Sequence, residues 1–204
     1  MHKKQTRNMA ITALFVAIFL LQTFVPNIGY IRILPTLPAI TTVPLTVAVY
    51  GLLMGPKKGL CFGLLWGALR FIQAYIQPAD IVSIMLFRNP VIALVPSILA
   101  GLFPGLVGYI FEQKAVKVKQ LGYLIAGAVT SLTNTVMVIL LTSIFFANRS
   151  TELMGYMGKF ANGTPLLLAL IIALGMNGII EAVFTAVLVP LIVTPLKKTL
   201  QRLN

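Results

Sequence analysis

Residues 89–111 have the sequence NPVIALVPSILAGLFPGLVGYIF, an apolar run without a charged side chain. As a helix, such a run is long enough to cross the hydrocarbon core of a bilayer, which takes roughly 20 residues. Five further apolar runs lie at residues 9–25, 36–54, 59–77, 120–147 and 164–195. We therefore predict an all-α integral membrane protein whose residues 1–204 form one transmembrane domain of six helices.

The overall composition supports this class. Of the 204 residues, 58% are hydrophobic and 10% are charged, whereas soluble domains carry about 25% charged residues. The last two runs exceed a minimal span and should tilt or bend, and Pro190 and Pro195 are candidates for breaking the final helix. The first run lacks a small-residue cleavage site, so we expect a retained helix and not a signal peptide.

The basic residues predict the orientation. Eleven of the sixteen Lys and Arg residues fall on one side of the spans: Lys3, Lys4, Arg7, Lys57, Lys58, Lys114, Lys117, Lys119, Lys197, Lys198 and Arg202. Four fall on the other side: Arg32, Arg88, Arg149 and Lys159. Because loops rich in Lys and Arg stay in the cytoplasm, we predict that both termini are cytoplasmic. The net charge of +12 then reflects membrane topology and does not indicate nucleic-acid binding.

The predicted outer loops are longer than the inner turn Gly55–Gly59. They comprise Pro26–Pro35, Pro78–Arg88 and Asn148–Gly163. Long loops are often functional, but they can also serve only to join helices.

Two ionisable residues lie inside predicted spans, namely Arg70 and Glu181. A charged side chain in hydrocarbon costs at least a few kcal/mol, so it usually faces the bundle interior and has a partner or a ligand. The two residues fall at similar depths. They could form an ion pair that only joins two helices, or one or both could bind a ligand.

Amides and hydroxyls are concentrated at two places in the last spans, around Asn134 and around Asn177. Asn177 and Glu181 are four residues apart and share a helix face. Such groups can bond between membrane helices, but free amide donors and acceptors can also bind a polar ligand. In the first span, Ala13 and Ala17 form a small-xxx-small pattern that permits close helix contact, which by itself favours packing within the chain.

Known catalytic and metal-binding motifs are missing from the sequence. It contains no G-x-x-x-x-G-K-[ST] phosphate loop, no H-E-x-x-H zinc site and no G-x-S-x-G nucleophile motif. The one cysteine, Cys61, has no partner for a disulfide or a cysteine-based metal site. We therefore expect neither an enzyme nor a bound cofactor or metal, and any uphill transport must be driven by a partner or by an ion gradient.

Four stretches indicate a family: Gln22–Pro26 (QTFVP), Leu53–Lys57 (LMGPK), Ser131–Thr135 (SLTNT) and Asn177–Ala182 (NGIIEA). With the Ala13 and Ala17 pattern, the chain resembles the substrate-binding components of energy-coupling factor (ECF) vitamin transporters, and within them the pantothenate type. Ile180 stands where that type has proline, so biotin, nicotinate or another carboxylated vitamin remains an alternative.

The resemblance implies a mechanism in the cell membrane of a prokaryote. Such a component captures a vitamin outside, associates with a membrane coupling subunit and two cytoplasmic ATPases, and topples to release the vitamin inside. It also implies that Ala13 and Ala17 contact the coupling subunit. By position it nominates a vitamin site at Arg70, Arg88, Asn134, Asn177 and Glu181, with residues 27–32 as a lid.

Two other classes remain open from the residues alone. A self-sufficient carrier would use Glu181 as a proton site and would transport without partners. A membrane enzyme or assembly protein would be favoured only if no solute binds.

Overall fold

The computed structural model of the chain describes residues 2–25, 28–31, 40–157 and 164–202. The helices in these ranges are α1 (His2–Phe24), α2 (Val43–Met54), α3 (Pro56–Ile76), α4 (Ile81–Phe87), α5 (Pro90–Phe111), α6 (Val116–Phe145), α7 (Ser150–Met157), α8 (Leu166–Leu170) and α9 (Met176–Arg202). Two-residue strands β1 (Tyr30–Ile31) and β2 (Ile40–Thr41) pair antiparallel. A 3₁₀ turn precedes α7, and a π-helical segment joins α8 to α9. The predicted all-helical class is thus confirmed, apart from this strand pair.

Among the described residues, five helical segments are long and apolar enough to cross a bilayer. They are Gln5–Phe24, Pro56–Ile76, Pro90–Phe111, Val116–Phe145 and Leu166–Arg202. Helix α2 is also apolar but has 12 residues, and at about 1.5 Å per residue it is shorter than the hydrocarbon core. These lengths and compositions are those of an integral membrane protein.

The expected break at Pro190 and Pro195 is wrong. Helix α9 continues through both prolines to Arg202, and the irregularity in this span is the π-helical segment Ile171–Gly175. Membrane helices tolerate proline because neighbouring helices and small adjustments satisfy the freed backbone groups.

The tightest helix pair is α3 against α5. A Cβ atom added at Gly63 would lie 2.4 Å from the carbonyl oxygen of Ser97, and one at Gly59 would lie 2.3 Å from that of Gly101. Contacts below 3.0 Å with backbone atoms leave no room for a side chain. The small-residue contact therefore fixes α3, the helix that carries Arg70, close against α5.

Helix α1 uses one face for packing within the chain. Phe15 and Phe19 are buried, and the Phe15 ring centroid lies 5.5 Å from that of Tyr50. A shift of two helical positions is a rotation of about 200°. Ala13 and Ala17 accordingly lie on the opposite face, where both are exposed.

Both ends of the described chain lie at one end of the bundle, which we call the basic end. Arg7 at the start of α1 donates a hydrogen bond to the carbonyl of Leu200 near the end of α9 (3.4 Å). Glu112, after α5, contacts Lys197 of α9 and also Lys119 of α6. The opposite end, called the loop end, carries the strand pair, α4 and α7.

Candidate functional site

Arg70 lies near the loop end of α3, where three helices meet. Its Nη1 donates a hydrogen bond to Oδ1 of Asn134 on α6 (3.2 Å). The guanidinium carbon lies 4.3 Å from the ring centroid of Phe87 and 5.3 Å from that of Trp66. Cation–π contacts of this kind contribute about 0.5–2 kcal/mol and hold the guanidinium against the two rings. The site thus presents a half-buried cation beside an amide.

Glu181 is buried on α9, with a relative exposure of 4%. Its Oε1 accepts hydrogen bonds from the backbone N–H of Thr41 (2.9 Å), from the Thr41 hydroxyl (2.8 Å) and from Nδ2 of Asn177 (3.1 Å). Hydrogen bonds to an ionised carboxylate are stronger than neutral ones. Glu181 therefore anchors strand β2 to α9.

The hydrogen bonds of Arg70 and Glu181 do not join the two residues to each other. Arg70 bonds to Asn134, whereas Glu181 bonds to Thr41 and Asn177. Each group therefore has its own hydrogen-bond partners.

A cavity of about 40 Å³ lies between α1, β2 and α3. It is lined by Phe19, Gln22, Thr23, Thr41, Val43, Trp66, Leu69, Arg70 and Gln73. Ligand pockets usually measure about 300–1,000 Å³, so this cavity is too small for a vitamin-sized molecule unless its lining side chains move apart.

Sequence reasoning missed four polar residues of this cavity, namely Gln22, Thr23, Thr41 and Gln73. Gln73 donates to the carbonyl of Thr23 (2.6 Å), which links α3 to α1. Gln22 donates to the hydroxyl of Thr42 (2.9 Å), and Thr41 binds Glu181. Gln22 and Gln73 are amides inside predicted apolar spans, so the reasoning applied to Asn134 would also have found them.

Asn177 has an acceptor that no described residue satisfies. Its Oδ1 is buried and lacks a hydrogen-bond partner in the described part of the chain, while its Nδ2 donates to Glu181. Because a carboxylate oxygen only accepts, the bond to Glu181 fixes which way the amide points. Leaving a buried acceptor unsatisfied costs about 1–3 kcal/mol. A ligand with a hydroxyl or N–H group would remove that cost.

The α6–α9 contact beside the site is held by hydroxyls. Ser131 and Thr185 lie 2.9 Å apart (Oγ to Oγ1), and Thr185 also donates to the carbonyl of Gly127 across the contact (3.0 Å). All three residues are buried. Ser131 therefore has a packing role. The same contact fixes the position of Asn134 on α6 relative to Glu181 on α9.

Arg88 makes its contacts away from Arg70, Asn134, Asn177 and Glu181. Arg88 is exposed, donates to the carbonyl of Ala74 (3.2 Å) and lies 4.8 Å from the ring centroid of Tyr75, so it binds the end of α3. Asn27 and Arg32, the ends of the predicted lid, fall outside the described residues.

Comparisons with known proteins agree on the kind of protein that this chain resembles. A family model described as "ECF transporter, substrate-specific component" matches residues 7–193. The "Pantothenate transporter PanT" of Leuconostoc mesenteroides subsp. mesenteroides is 36% identical over 158 residues, which cover 76% of this chain and 77% of that protein. The "Pantothenic acid transporter PanT" of Lactococcus lactis subsp. cremoris is 32% identical over 167 residues, which cover 74% of this chain and 79% of that protein. Together with the apolar helices, these matches make the chain a multi-pass cell-membrane protein of a prokaryote.

Proposed function

Because the chain belongs to the family of ECF transporter substrate-specific components, we propose that it captures pantothenate outside the cell and delivers it through a membrane coupling subunit. Two relatives that match about three quarters of the chain are named as pantothenate transporters. In this proposal two cytoplasmic ATPase subunits hydrolyse ATP, and the chain itself binds the vitamin and topples to release it.

The observation that carries the substrate assignment is the half-buried guanidinium of Arg70 beside the cavity. Pantothenate has one carboxylate, one amide and two hydroxyls, with a dimethyl group between the polar ends. Arg70 binds the carboxylate, since guanidinium and carboxylate form strong charge-assisted hydrogen bonds. Asn134, which already contacts Arg70, completes this end of the site.

We assign the other end of pantothenate to Asn177, which is outside the lining of the cavity but is linked to the lining residue Thr41 through Glu181. The unsatisfied Oδ1 of Asn177 accepts from a vitamin hydroxyl or from the amide N–H. Trp66 and Phe19 line the cavity and supply apolar surface for the dimethyl group. Nicotinate carries no hydroxyl or neutral N–H donor, so this acceptor favours pantothenate over it.

Glu181 and Arg88 serve the site indirectly. Glu181 holds Thr41 at the cavity wall and orients the Asn177 amide. Arg88 is an exposed cation at the loop end that attracts the anionic vitamin toward the site by long-range steering. Entry of the vitamin requires Thr41 and the α3 side chains to separate, because the cavity is smaller than the vitamin.

The proposed orientation places the loop end outside and the basic end in the cytoplasm. It follows from the eleven-to-four distribution of Lys and Arg, and it counts α2 as the second of six spans. The contact between Arg7 and Leu200 supports an even number of crossings, because it brings the two termini together.

The partner surface is the outer face of α1. Ala13 and Ala17 are exposed there, and only 11% of the most apolar window of this helix is buried within the chain. A transmembrane helix with small exposed residues permits close approach of a second helix. We assign this face to the coupling subunit.

Pantothenate and its carboxamide analogue test the substrate site in the detergent-solubilised chain. Wild type should bind pantothenate more tightly than the analogue by about 30-fold or more, because leaving one member of a buried charge pair without its partner costs roughly 2–5 kcal/mol. A folded Arg70→Met variant should bind the two equally. The matched control is Arg149→Met, which removes an exposed arginine of the loop end and should keep the wild-type preference. A preference that survives in Arg70→Met would reject Arg70 as the carboxylate partner.

A further inference from the structure

Two adjoining cavities lie between α6 and α9 near the basic end of the bundle. The first, of about 330 Å³, is lined mainly by polar and charged residues, which include Glu112, Lys119, Gln120, Thr194, Lys197 and Lys198. The second, of about 620 Å³, is lined by Gln120, Leu121, Leu124, Pro190, Leu191, Thr194 and Pro195. Gln120 and Thr194 line both cavities, so a polar site at the end of the helices continues into an apolar groove along them.

The polar cavity carries excess positive charge. Its lining contains three lysines and one carboxylate. Glu112 contacts both Lys119 (3.7 Å) and Lys197, so one negative charge is shared between two cations. Lys198 is exposed at the same cavity. Among these lining groups a net charge of two positive units remains for an anion.

The apolar groove is exposed on the outside of the bundle. Leu121, Leu124 and Leu191 have relative exposures of 51%, 41% and 64%. Because α6 and α9 are long apolar helices of a membrane protein, lipid chains cover this surface. A concave groove between two such helices can hold one chain along its length and gain dispersion contacts.

From this continuity we propose that the α6–α9 cleft is a binding site for an anionic phospholipid. The phosphate lies between Lys119 and Lys198, and one acyl chain lies in the groove along Leu121, Leu124 and Leu191. Basic pockets between membrane helices on the cytoplasmic side are known binding places for anionic headgroups. A free anion would use the lysines alone and would leave the adjoining groove without a role. The site is separate from the vitamin cavity, so it stands independently of the pantothenate assignment.

Native mass spectrometry of the detergent-solubilised chain tests the headgroup half. Phosphatidylglycerol and phosphatidylcholine with identical acyl chains are the probes. Wild type should retain phosphatidylglycerol preferentially, and the double variant Lys119→Gln/Lys198→Gln should lose that preference, by about fivefold for each lysine. The matched control is Lys57→Gln/Lys58→Gln, which removes the same charge from exposed residues of a different inner turn and should behave as wild type. Equal losses in the two double variants would show diffuse attraction to a basic surface and would overturn the site.

A bulky substitution tests the acyl half without changing the charge. Leu124→Trp should fill the groove and lower phosphatidylglycerol retention. Leu140→Trp, at an exposed leucine of the same helix (44%) outside both cavity linings, should not. If the vitamin assignment holds, pantothenate should raise the unfolding temperature of both variants as it does for wild type. If that assignment fails, both variants should still unfold at the wild-type temperature without ligand. Either result shows that the two variants are folded. Unchanged retention in Leu124→Trp would reject the groove, as would equal retention of the two lipids by wild type.

Discussion

The close contact between α3 and α5 can be tested by adding a single methyl group. A Cβ atom at Gly63 would lie 2.4 Å from the Ser97 carbonyl oxygen and 3.0 Å from Cα of Ile98. Both are backbone atoms and cannot rotate away, so the helices must separate. Gly63→Ala should gain up to about 1 kcal/mol from helix propensity but lose typically 1–3 kcal/mol from overpacking. The net effect should be destabilising.

The matched control is Gly155→Ala in α7, where a Cβ atom would meet nothing within 4 Å. It keeps the propensity gain without the clash and should be neutral or stabilising. Thermal unfolding of the solubilised proteins measures the difference, with about 2–4 °C expected for each kcal/mol in a chain of this size. Gly63→Ala should also weaken vitamin binding, since α3 carries Arg70 two turns further on. If Gly63→Ala is as stable as Gly155→Ala, α3 and α5 do not approach as closely as described.

Three further perturbations test other parts of the account. Glu181→Leu removes the acceptor of the bonds from strand β2 and leaves the Thr41 donors unpaired, so the unfolding free energy should fall by about 1–3 kcal/mol; unchanged thermal stability would contradict the anchoring role. Replacing Ala13 and Ala17 with leucine should reduce complex assembly and cellular uptake while the isolated chain binds pantothenate as before, and a parallel loss of binding would place the stripe in the protein's own core. Single cysteines at Ser150 and Gln201 in a cysteine-free background should react with an impermeant reagent from outside and only after permeabilisation, respectively; the reverse pattern would reject the orientation.

The fold class could be predicted because a membrane-spanning helix needs a long run of apolar residues, which is visible in the sequence. Long apolar runs and few charges are sufficient to identify an all-helical membrane protein, and four short stretches were enough to indicate the family that the comparisons show. The sequence pattern did not predict that the last helix continues through its prolines. Pro190 and Pro195 lie within α9 without breaking it, because neighbouring structure decides whether a proline ends a membrane helix.

The contacts within the candidate site depended on helix rotation, which one sequence does not provide. Arg70 and Glu181 were expected at similar depths and as possible partners, yet Arg70 bonds to Asn134 and Glu181 bonds to Thr41. Depth follows from residue number, whereas the facing side chain depends on how each helix is turned about its axis. The glycines that fix α3, such as Gly63, could have been identified by their four-residue spacing.

In the proposed function this chain recognises pantothenate without help from a partner subunit. Isothermal titration of the detergent-solubilised chain with pantothenate, biotin and nicotinate tests it most directly. We expect saturable binding of about one pantothenate per chain. Nicotinate should bind much more weakly because it has no hydroxyl or neutral N–H donor for Oδ1 of Asn177, and biotin should bind more weakly because the relatives of this chain are named as pantothenate transporters. Binding of another carboxylated vitamin in preference to pantothenate would contradict the substrate assignment, and binding of none of the three would contradict the proposed site.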